Sequence, residues 1–576
     1  MSPERLNKHS RVVTEDPRNG QNRSMISNIL RLQGRDPYEF FSGPDPKPPL
    51  IGIGETETEW SPCNGHLRDL AKIVEEELWQ RGMIGIIDSV GGFNDAHTMA
   101  TPGMRYSLPS RQITSDGFEK MAIGFNTDGW IALVDCDKTV PSPVISAGSI
   151  TDRPCVVVYG GTIKPGHFEG REIDIGDSVE SAGNFAAGRI DEQQMMGIQV
   201  EACPGFGGCG MSATSFSSAV VNAALGMQII SSASTPAEDP YKQEECRLAA
   251  QYLERLMREE IYPQQIVSRE AILNGAKALM LCGGSTNCVM HLLAIAQAFE
   301  IDFSYHDFQE VALECPVILN MRPLGKYSAI HLHHRAGGLP ALFKYAIAEG
   351  LLNGDCLTIT GESLRASVAE AADLKFGSGE QDVVLPVANP LYQSGHLRFL
   401  TRGNLVEGGG AVVKFKTDNH TFDGTARVYE NEDAAAAGFA AGEFRSGDVI
   451  VVLGEGPAGG PGMRELLRLT ALMYTSEISD EIVLVTVGRL SGVSRARALV
   501  VHLSPEEFHG GLIGLVKTGD SIRIDGSDGT IELIVDEAEI EARRSAWKRP
   551  APLPGNGRLA RFQRHVQPAD KGCIEI

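Results

Sequence analysis

The run Trp130-Ile131-Ala132-Leu133-Val134 leads straight into Asp135-Cys136-Asp137-Lys138-Thr139. Five apolar residues without alternation read as a strand buried on both faces, the kind that parallel α/β sheets use. The residues that close it bring a thiol, two carboxylates and an amine to the place where parallel strands usually present their chemistry. Carboxylate oxygen suits magnesium-type cations, whereas thiolate suits iron, copper or zinc, so neighbours of both kinds point to two metal centres side by side. Alone, these five residues would read as an ordinary strand-end turn with a buried free cysteine. The rest of the chain carries further residues of the same chemistry.

With 576 residues the chain is too long for one core. A hydrophobic content of 42% and 64 glycines describe an α/β enzyme rather than a disordered or fibrous protein. The net charge of -22 argues against nucleic acid and against an anionic membrane surface as partners. An acidic substrate would then need a local cation, either a metal or arginine. Eleven cysteines without regular spacing do not resemble a secreted disulfide framework, which points to a reducing compartment. No apolar run reaches the length of a membrane span, and the amino terminus has no hydrophobic signal core. Arg5, Lys8 and Arg11 hint at an organelle transit peptide, but Glu4, Glu15 and Asp16 break the acid-poor composition of such peptides. The sequons at Asn22 and Asn419 are read as chance.

Residues 1–50 are polar and end in Gly43-Pro44-Asp45-Pro46-Lys47-Pro48-Pro49, which predicts an extended arm wrapping a neighbour. Pro62-Cys63-Asn64 precedes Leu67, Leu70, Ala71, Val74 and Leu78 at helical spacing, so Cys63 is expected at a helix amino terminus that favours thiolate. After the strand Ile84–Val90, Asp95 follows its strand as Asp137 follows its own, so both carboxylates could share one rim. Arg105 and Arg111, among hydroxyls, read either as a carboxylate clamp or as surface ion pairs. Gly205-Phe206-Gly207-Gly208-Cys209-Gly210 matches G-x-G-x-x-G, but no acid stands about 20 residues later on a second strand, so a dinucleotide site is rejected. Cys209 is expected instead to open the next helix. Gly283-Gly284-Ser285-Thr286-Asn287 reads as a helix cap or an anion cradle, and 340–375 as further helices. From Val383 onward, short β-rich runs alternate with glycine turns, marking a second domain over 383–576 after an α/β domain over 51–382. Its loops Gly459-Gly460-Pro461-Gly462-Met463-Arg464-Glu465 and Gly488-Arg489-Leu490-Ser491-Gly492 lack the Gly-Lys-Ser/Thr of a P-loop.

Six motifs in register resemble the dihydroxy-acid and sugar-acid dehydratase family: Pro62-Cys63-Asn64, Gly103–Arg111, Cys136-Asp137-Lys138, Ala202-Cys203-Pro204-Gly205, Gly283–Asn287 and Gly488–Gly492. The resemblance spans residues 50 to 573. Tyr159–Gly166 and Lys571-Gly572-Cys573 look like the eukaryotic, particularly fungal, dihydroxy-acid dehydratases. The resemblance implies an amino-terminal α/β domain with a parallel sheet, a carboxy-terminal β-barrel-like domain, and a site in the cleft between them. It implies an iron-sulfur cluster on Cys63, Cys136 and Cys209; three cysteines suit a [2Fe-2S] or a [4Fe-4S] form, and the two-iron form is the expectation. Magnesium would be held by Asp95, Asp137, Glu465 and Lys138, the lysine as its carbon dioxide adduct, a carbamate. Ser491, as a metal-stabilised alkoxide, would remove the proton on carbon 2 of a 2,3-dihydroxy acid while iron takes the 3-hydroxyl, giving a 2-keto acid. A homodimer is the assembly the family implies. The compartment would be the mitochondrial matrix for a eukaryotic chain that has lost a transit peptide, and the cytoplasm otherwise.

Cys203 is the one rival ligand to Cys209, and the other seven cysteines read as small buried hydrophobes. The chain departs from the family pattern at Gly65, at Asn94-Asp95-Ala96-His97-Thr98, at Val487, at Leu490 and at Val493-Ser494-Arg495-Ala496, all places expected near the substrate pocket. Three functions stay open on the sequence: dehydration of a short branched dihydroxy acid of branched-chain amino-acid biosynthesis (2,3-dihydroxyisovalerate or 2,3-dihydroxy-3-methylvalerate), dehydration of a sugar acid or secondary-metabolic dihydroxy acid, and a non-catalytic paralogue that only binds a cluster.

Overall fold

The computed structural model describes residues 6–576 except 187, 378, 380, 416–419 and 492–496. The sequon at Asn419 and the altered run Val493-Ser494-Arg495-Ala496 lie outside the described residues. Strands β1 (Leu50–Glu55), β2 (Ile84–Ser89), β3 (Gly129–Val134) and β4 (Cys155–Tyr159) form an all-parallel sheet in the order β2-β1-β3-β4. Every residue of β1, β3 and β4 is buried, which is why β3 is apolar throughout rather than alternating. Helices Leu67–Gln80 and Tyr241–Glu259 pack on each other and on this sheet. Trp130 of β3 is fully buried and meets Phe118 at 5.6 Å between ring centroids. The sheet order reverses between β1 and β3, so the carboxyl ends of these two strands flank the kind of crevice where open α/β sheets bind ligands.

After a small hairpin, β5 (Gly166–Phe168) with β6 (Arg171–Ile173), the chain is helical until the second sheet. That sheet contains β7 (Leu397–Leu400), β8 (Gly410–Phe415), β9 (Thr421–Tyr429), β10 (Asp448–Val452), β11 (Val483–Thr486), β12 (Ala498–Ser504), β13 (Ser521–Asp525) and β14 (Thr530–Ile534). Their order is β14-β13-β9-β10-β11-β12-β8-β7. The pairs from β9 to β12 are parallel and the others antiparallel. Arg402, just past β7, bridges Thr530 of β14, so the mixed sheet nearly closes into a barrel. Its interior is a separate apolar core that includes Val413, Val451, Val485 and Ile524. The fold class is therefore the expected one.

The amino-terminal arm is not extended. Helices Arg11–Thr14, Gly20–Leu32 and Pro37–Ser42 occupy about half of its described residues. Ile26 and Leu30, one turn apart, pack with Phe40 against Leu50 of β1 and Ile84 of β2. The Asp128 carboxylate fastens this region by accepting the backbone N–H of His9 at 2.7 Å, of Ser10 at 3.0 Å and of Leu50 at 3.0 Å. Helix content in 340–375 is also smaller than expected, limited to the end of Gly338–Ala348 and the single turn Leu364–Ser367. Because Leu30 is fully buried, Leu30→Ala should cost about 2–5 kcal/mol. Thermal or denaturant unfolding checks this; an arm without a packed apolar face would leave the midpoint unchanged.

Candidate functional site

Strand β3 ends at Val134, and Cys136 then adopts φ +74°, a left-handed conformation rare for a residue with a side chain. Asp137 and Lys138 follow directly. Asp95 opens the turn Asp95–Thr98 beyond β2, and Glu465 comes from the second domain. One carboxylate oxygen from each of Asp95, Asp137 and Glu465 lies within 4.8 Å of the others, with Asp95 and Glu465 buried. Lys138, fully buried, donates from Nζ to Asp95 Oδ2 at 2.6 Å, and Ser107 Oγ donates to the same oxygen at 2.6 Å. The other oxygen, Asp95 Oδ1, is buried without a partner. An orphaned carboxylate oxygen facing two more carboxylates fits an oxygen-seeking divalent cation.

Glu465 is reached across the domain boundary. The Gly459–Gly462 loop brings the second domain so close that a Cβ on Gly462, whose φ is +92°, would lie 1.7 Å from the Arg105 carbonyl oxygen. Only glycine fits there. Arg489, fully buried, donates to Glu465 Oε1 at 2.6 Å and to Ser107 Oγ at 2.8 Å, and Asn287 Nδ2 donates to Glu465 Oε1 at 2.7 Å. Ser285 caps helix Thr286–Ala298, which fixes Asn287 in its first turn. Arg489, Asn287 and Ser107 lie inside motifs singled out in the sequence, but their roles depend on contacts hundreds of residues apart.

The charges hold each other in check. Burial alone would raise the Asp95 carboxyl, yet Lys138 and Arg489 outweigh it and hold it below the usual range. Burial pushes Asp137 up to about 7 against the pull of Lys138, with Asp95 and Glu465 adding to the rise. Burial also raises Glu465, opposed by Arg489 and Lys138.

The three expected thiols line the same cavity as the carboxylates and Ser491. The Cys63–Cys136 hydrogen bond works to lower the Cys63 thiol, but burial and the charges of Cys209 and Asp135 outweigh it and the thiol is raised. That same hydrogen bond and burial push Cys136 well above its ordinary value, and burial does so for Cys209. The expectation of a thiolate at a helix terminus is thus overturned at Cys63. The helix there starts only at Leu67, with His66 at its cap, too far on for its dipole to govern the thiol. Cys209 likewise does not open a helix, since the next one begins at Thr214. Three thiols lining one cavity, Cys136 buried and Cys63 and Cys209 half-buried, fit a thiophilic metal group, whose binding removes their protons. Cys203 is exposed and absent from the cavity wall, and the other seven cysteines are buried.

The arginine clamp is also overturned. Arg111 is buried and donates to the carbonyl oxygens of Gly572 at 2.7 Å and Cys573 at 2.8 Å, so it anchors the carboxy-terminal tail. Arg105 pairs with Glu455 at 3.4 Å. The cavity itself holds about 120 Å³, small beside the roughly 300–1,000 Å³ of common ligand sites. Away from the thiols, carboxylates and Ser491 its wall is mainly apolar, with Ala96, Met99, Ile175, Val179, Met211 and Leu467, together with Asn94 and Thr214.

Residues 48–367 match the family model described as dihydroxy-acid/6-phosphogluconate dehydratase N-terminal, and 382–573 match its C-terminal counterpart. The chain belongs to this dehydratase family. It is 37% identical to the dihydroxy-acid dehydratase of Nitrosomonas europaea, with 99% of each chain covered. Against the chloroplastic dihydroxy-acid dehydratase of Arabidopsis thaliana the identity is 36%, over 99% of this chain and 91% of the plant one. Of the positions where the chain departs from the family pattern, Asn94 and Ala96 line the cavity, and Leu490 and Val487 are buried. Gly65 leaves room for the Phe206 ring, which a Cβ would meet at 2.9 Å. No helix among the described residues is long and apolar enough to cross a membrane.

With its carboxyl pushed up to about 7, Asp137 must lose a proton to take a cation. Divalent-cation affinity should therefore rise with pH through this range, and fall about tenfold per unit below about pH 7. Calorimetric magnesium titrations at about pH 6 and about pH 8 check this; equal affinities would show that the Asp137 carboxyl is already ionised in the metal-free protein.

Proposed function

We propose that this chain dehydrates a short branched 2,3-dihydroxy carboxylic acid to its 2-keto acid, as a step of branched-chain amino-acid biosynthesis. The best candidates are 2,3-dihydroxyisovalerate and 2,3-dihydroxy-3-methylvalerate. The observation that carries this choice is the cavity lining: beside the thiols, carboxylates and Ser491 it is mainly apolar, with Ala96, Met99, Ile175, Val179, Met211 and Leu467, and with Asn94 and Thr214 as its other polar members. A largely apolar wall suits a methyl or ethyl branch, whereas the further hydroxyls of a sugar acid would find few partners there beyond Asn94 and Thr214.

Cys63, Cys136 and Cys209 would hold an iron-sulfur cluster, of the two-iron form by preference. Asp95, Asp137, Glu465 and Lys138 would hold magnesium. Lys138 suits a carbamate because a free ammonium would repel the cation, whereas the carbon dioxide adduct offers another oxygen. When bound, these groups supply Lewis acidity at the 3-hydroxyl and at the carboxylate and 2-hydroxyl, and make a serine alkoxide accessible near neutral pH. Ser491 lines the cavity beside the carboxylates and is the group suited to take the carbon 2 proton at Oγ. Loss of that proton with the 3-hydroxyl leaves an enol, which tautomerises to the keto acid. Asn287 and Arg489 keep Glu465 turned to the site, and the apolar wall excludes bulk water. The proposed partner is a small dihydroxy acid, and the proposed assembly a homodimer.

Anaerobically reconstituted protein should convert 2,3-dihydroxyisovalerate to 2-ketoisovalerate, with pentonic acids at least about 100-fold poorer in kcat/KM. Absence of product with cluster and magnesium both present, or a preference for pentonates, would overturn the assignment. Ser491→Ala should lower kcat by about 10²–10⁴-fold with iron and magnesium content unchanged. Removal of carbon dioxide from the buffer should weaken magnesium binding, and bicarbonate should restore it.

A further inference from the structure

Asp135 is fully buried, and neither its carboxylate nor its carbonyl touches the cavity just described. Its carboxylate accepts hydrogen bonds from two backbone N–H groups and a serine hydroxyl. The backbone N–H of Cys136 donates to Oδ1 at 2.6 Å, Ser215 Oγ donates to Oδ1 at 3.0 Å, and the backbone N–H of Gly208 donates to Oδ2 at 3.0 Å. Its carbonyl oxygen accepts from Asn64 Nδ2 at 3.0 Å, and from Thr139 Oγ1. Asn64 adjoins Cys63, Gly208 adjoins Cys209, and Cys136 is itself a thiol residue. One residue thus bonds to each of the three thiol-bearing segments, which come from positions 63, 136 and 209 of the chain.

The approach of the third segment is shaped around this carboxylate. A Cβ on Gly208 would lie 2.3 Å from Asp135 Oδ1, 2.1 Å from the Tyr159 hydroxyl and 2.6 Å from Ser215 Oγ, so only glycine lets the loop close down. Tyr159 and Ser215 are bonded to each other at 2.9 Å, which fixes the far side of the carboxylate. Cys136 is held in its left-handed conformation in part by the short N–H bond to Oδ1. A side chain lacking this acceptor would leave the Gly208 N–H with the Gly161 carbonyl oxygen, at 2.9 Å, as its remaining acceptor, and would remove the bond to the strained Cys136 at the same time.

We propose that Asp135 is the positioning residue that sets the mutual spacing of Cys63, Cys136 and Cys209, its carboxylate bonding to the N–H groups of Cys136 and Gly208 and its main-chain carbonyl to Asn64. The proposal rests on reading these thiols as the ligands of one metal group. Groups outside the ligand shell that orient ligands are commonly worth about 10–100-fold in metal affinity. Asp135 acts through such orientation and touches neither substrate nor thiol sulfur.

The test compares parent, Asp135→Asn and Asp135→Ala proteins after anaerobic reconstitution. The readouts are iron and sulfide per chain, the visible spectrum, and the half-life of the cluster in a chelator. Asp135→Ala should shorten that half-life at least about tenfold and alter the spectrum while far-ultraviolet circular dichroism stays that of the parent. Asp135→Asn, which keeps one acceptor oxygen, should fall between the two. Amide exchange in metal-free protein gives a second readout: the segment 205–210 should exchange faster in both variants than in the parent. Should Asp135→Ala fail to fold, the Asn variant and its exchange decide. A parent half-life and spectrum in Asp135→Ala, or unchanged exchange at 205–210, overturns the positioning role. A parent protein that takes up no iron instead counts against the cluster reading, and the exchange of 205–210 still decides the role of Asp135.

Discussion

The structure depends on keeping three carboxylates within 4.8 Å of each other in a closed space. Without compensation, carboxylates so placed cannot all stay charged. Before any metal binds, two buried cations make the arrangement tolerable: Lys138 on Asp95, from the first domain, and Arg489 on Glu465, from the second. Arg489 also reaches Ser107, so the pairing that neutralises the site is also the pairing that docks the barrel onto the α/β domain. Removing one partner of such a buried pair is commonly worth about 3–5 kcal/mol, because the other charge is left stranded. Domain arrangement and site chemistry are therefore one problem with one solution.

The thiols add a second constraint on the same strand end. Cys136 and Asp137 are consecutive, so the wall that carries sulfur and the wall that carries oxygen are tied together by a single peptide bond. The left-handed turn at Cys136 lets the two side chains serve different groups, and the glycine-rich loop before Cys209 closes over the same place. What remains of the cavity is small and mainly apolar, and it is there that the altered residues Asn94 and Ala96 sit.

Much of this was legible in the sequence, for reasons that differ by residue. The run Trp130–Val134 announces a doubly covered strand because burial on both faces leaves no place for alternation, and Asp95, Asp137 and the cysteines are conspicuous by chemistry. Glu465 and Ser491 came from the family resemblance, since spacing alone does not say that a loop in the second domain meets one in the first. The misread features share a cause. Arg111 looks like a ligand-binding cation until its burial against the tail carbonyls of Gly572 and Cys573 is seen. Ile26 and Leu30 look like stray apolar residues in a polar arm until Leu50 and Ile84 are placed opposite them. Asp135 was visible as a carboxylate in the strand-end cluster, but its hydrogen bonds to loops 71 and 73 residues away in the chain were not. In each case the deciding partner is distant in sequence, and local pattern carries no record of it.

The central claim is that three loops deliver Cys63, Cys136 and Cys209 to one metal group beside the carboxylates. The most direct measurement is an anomalous difference map at the iron edge from anaerobically reconstituted crystals. Iron bonded to the sulfurs of Cys63, Cys136 and Cys209, next to Asp95, Asp137 and Glu465, is the expected result. Iron bound through Cys203 in place of Cys209, or ordered iron away from these carboxylates, would contradict it.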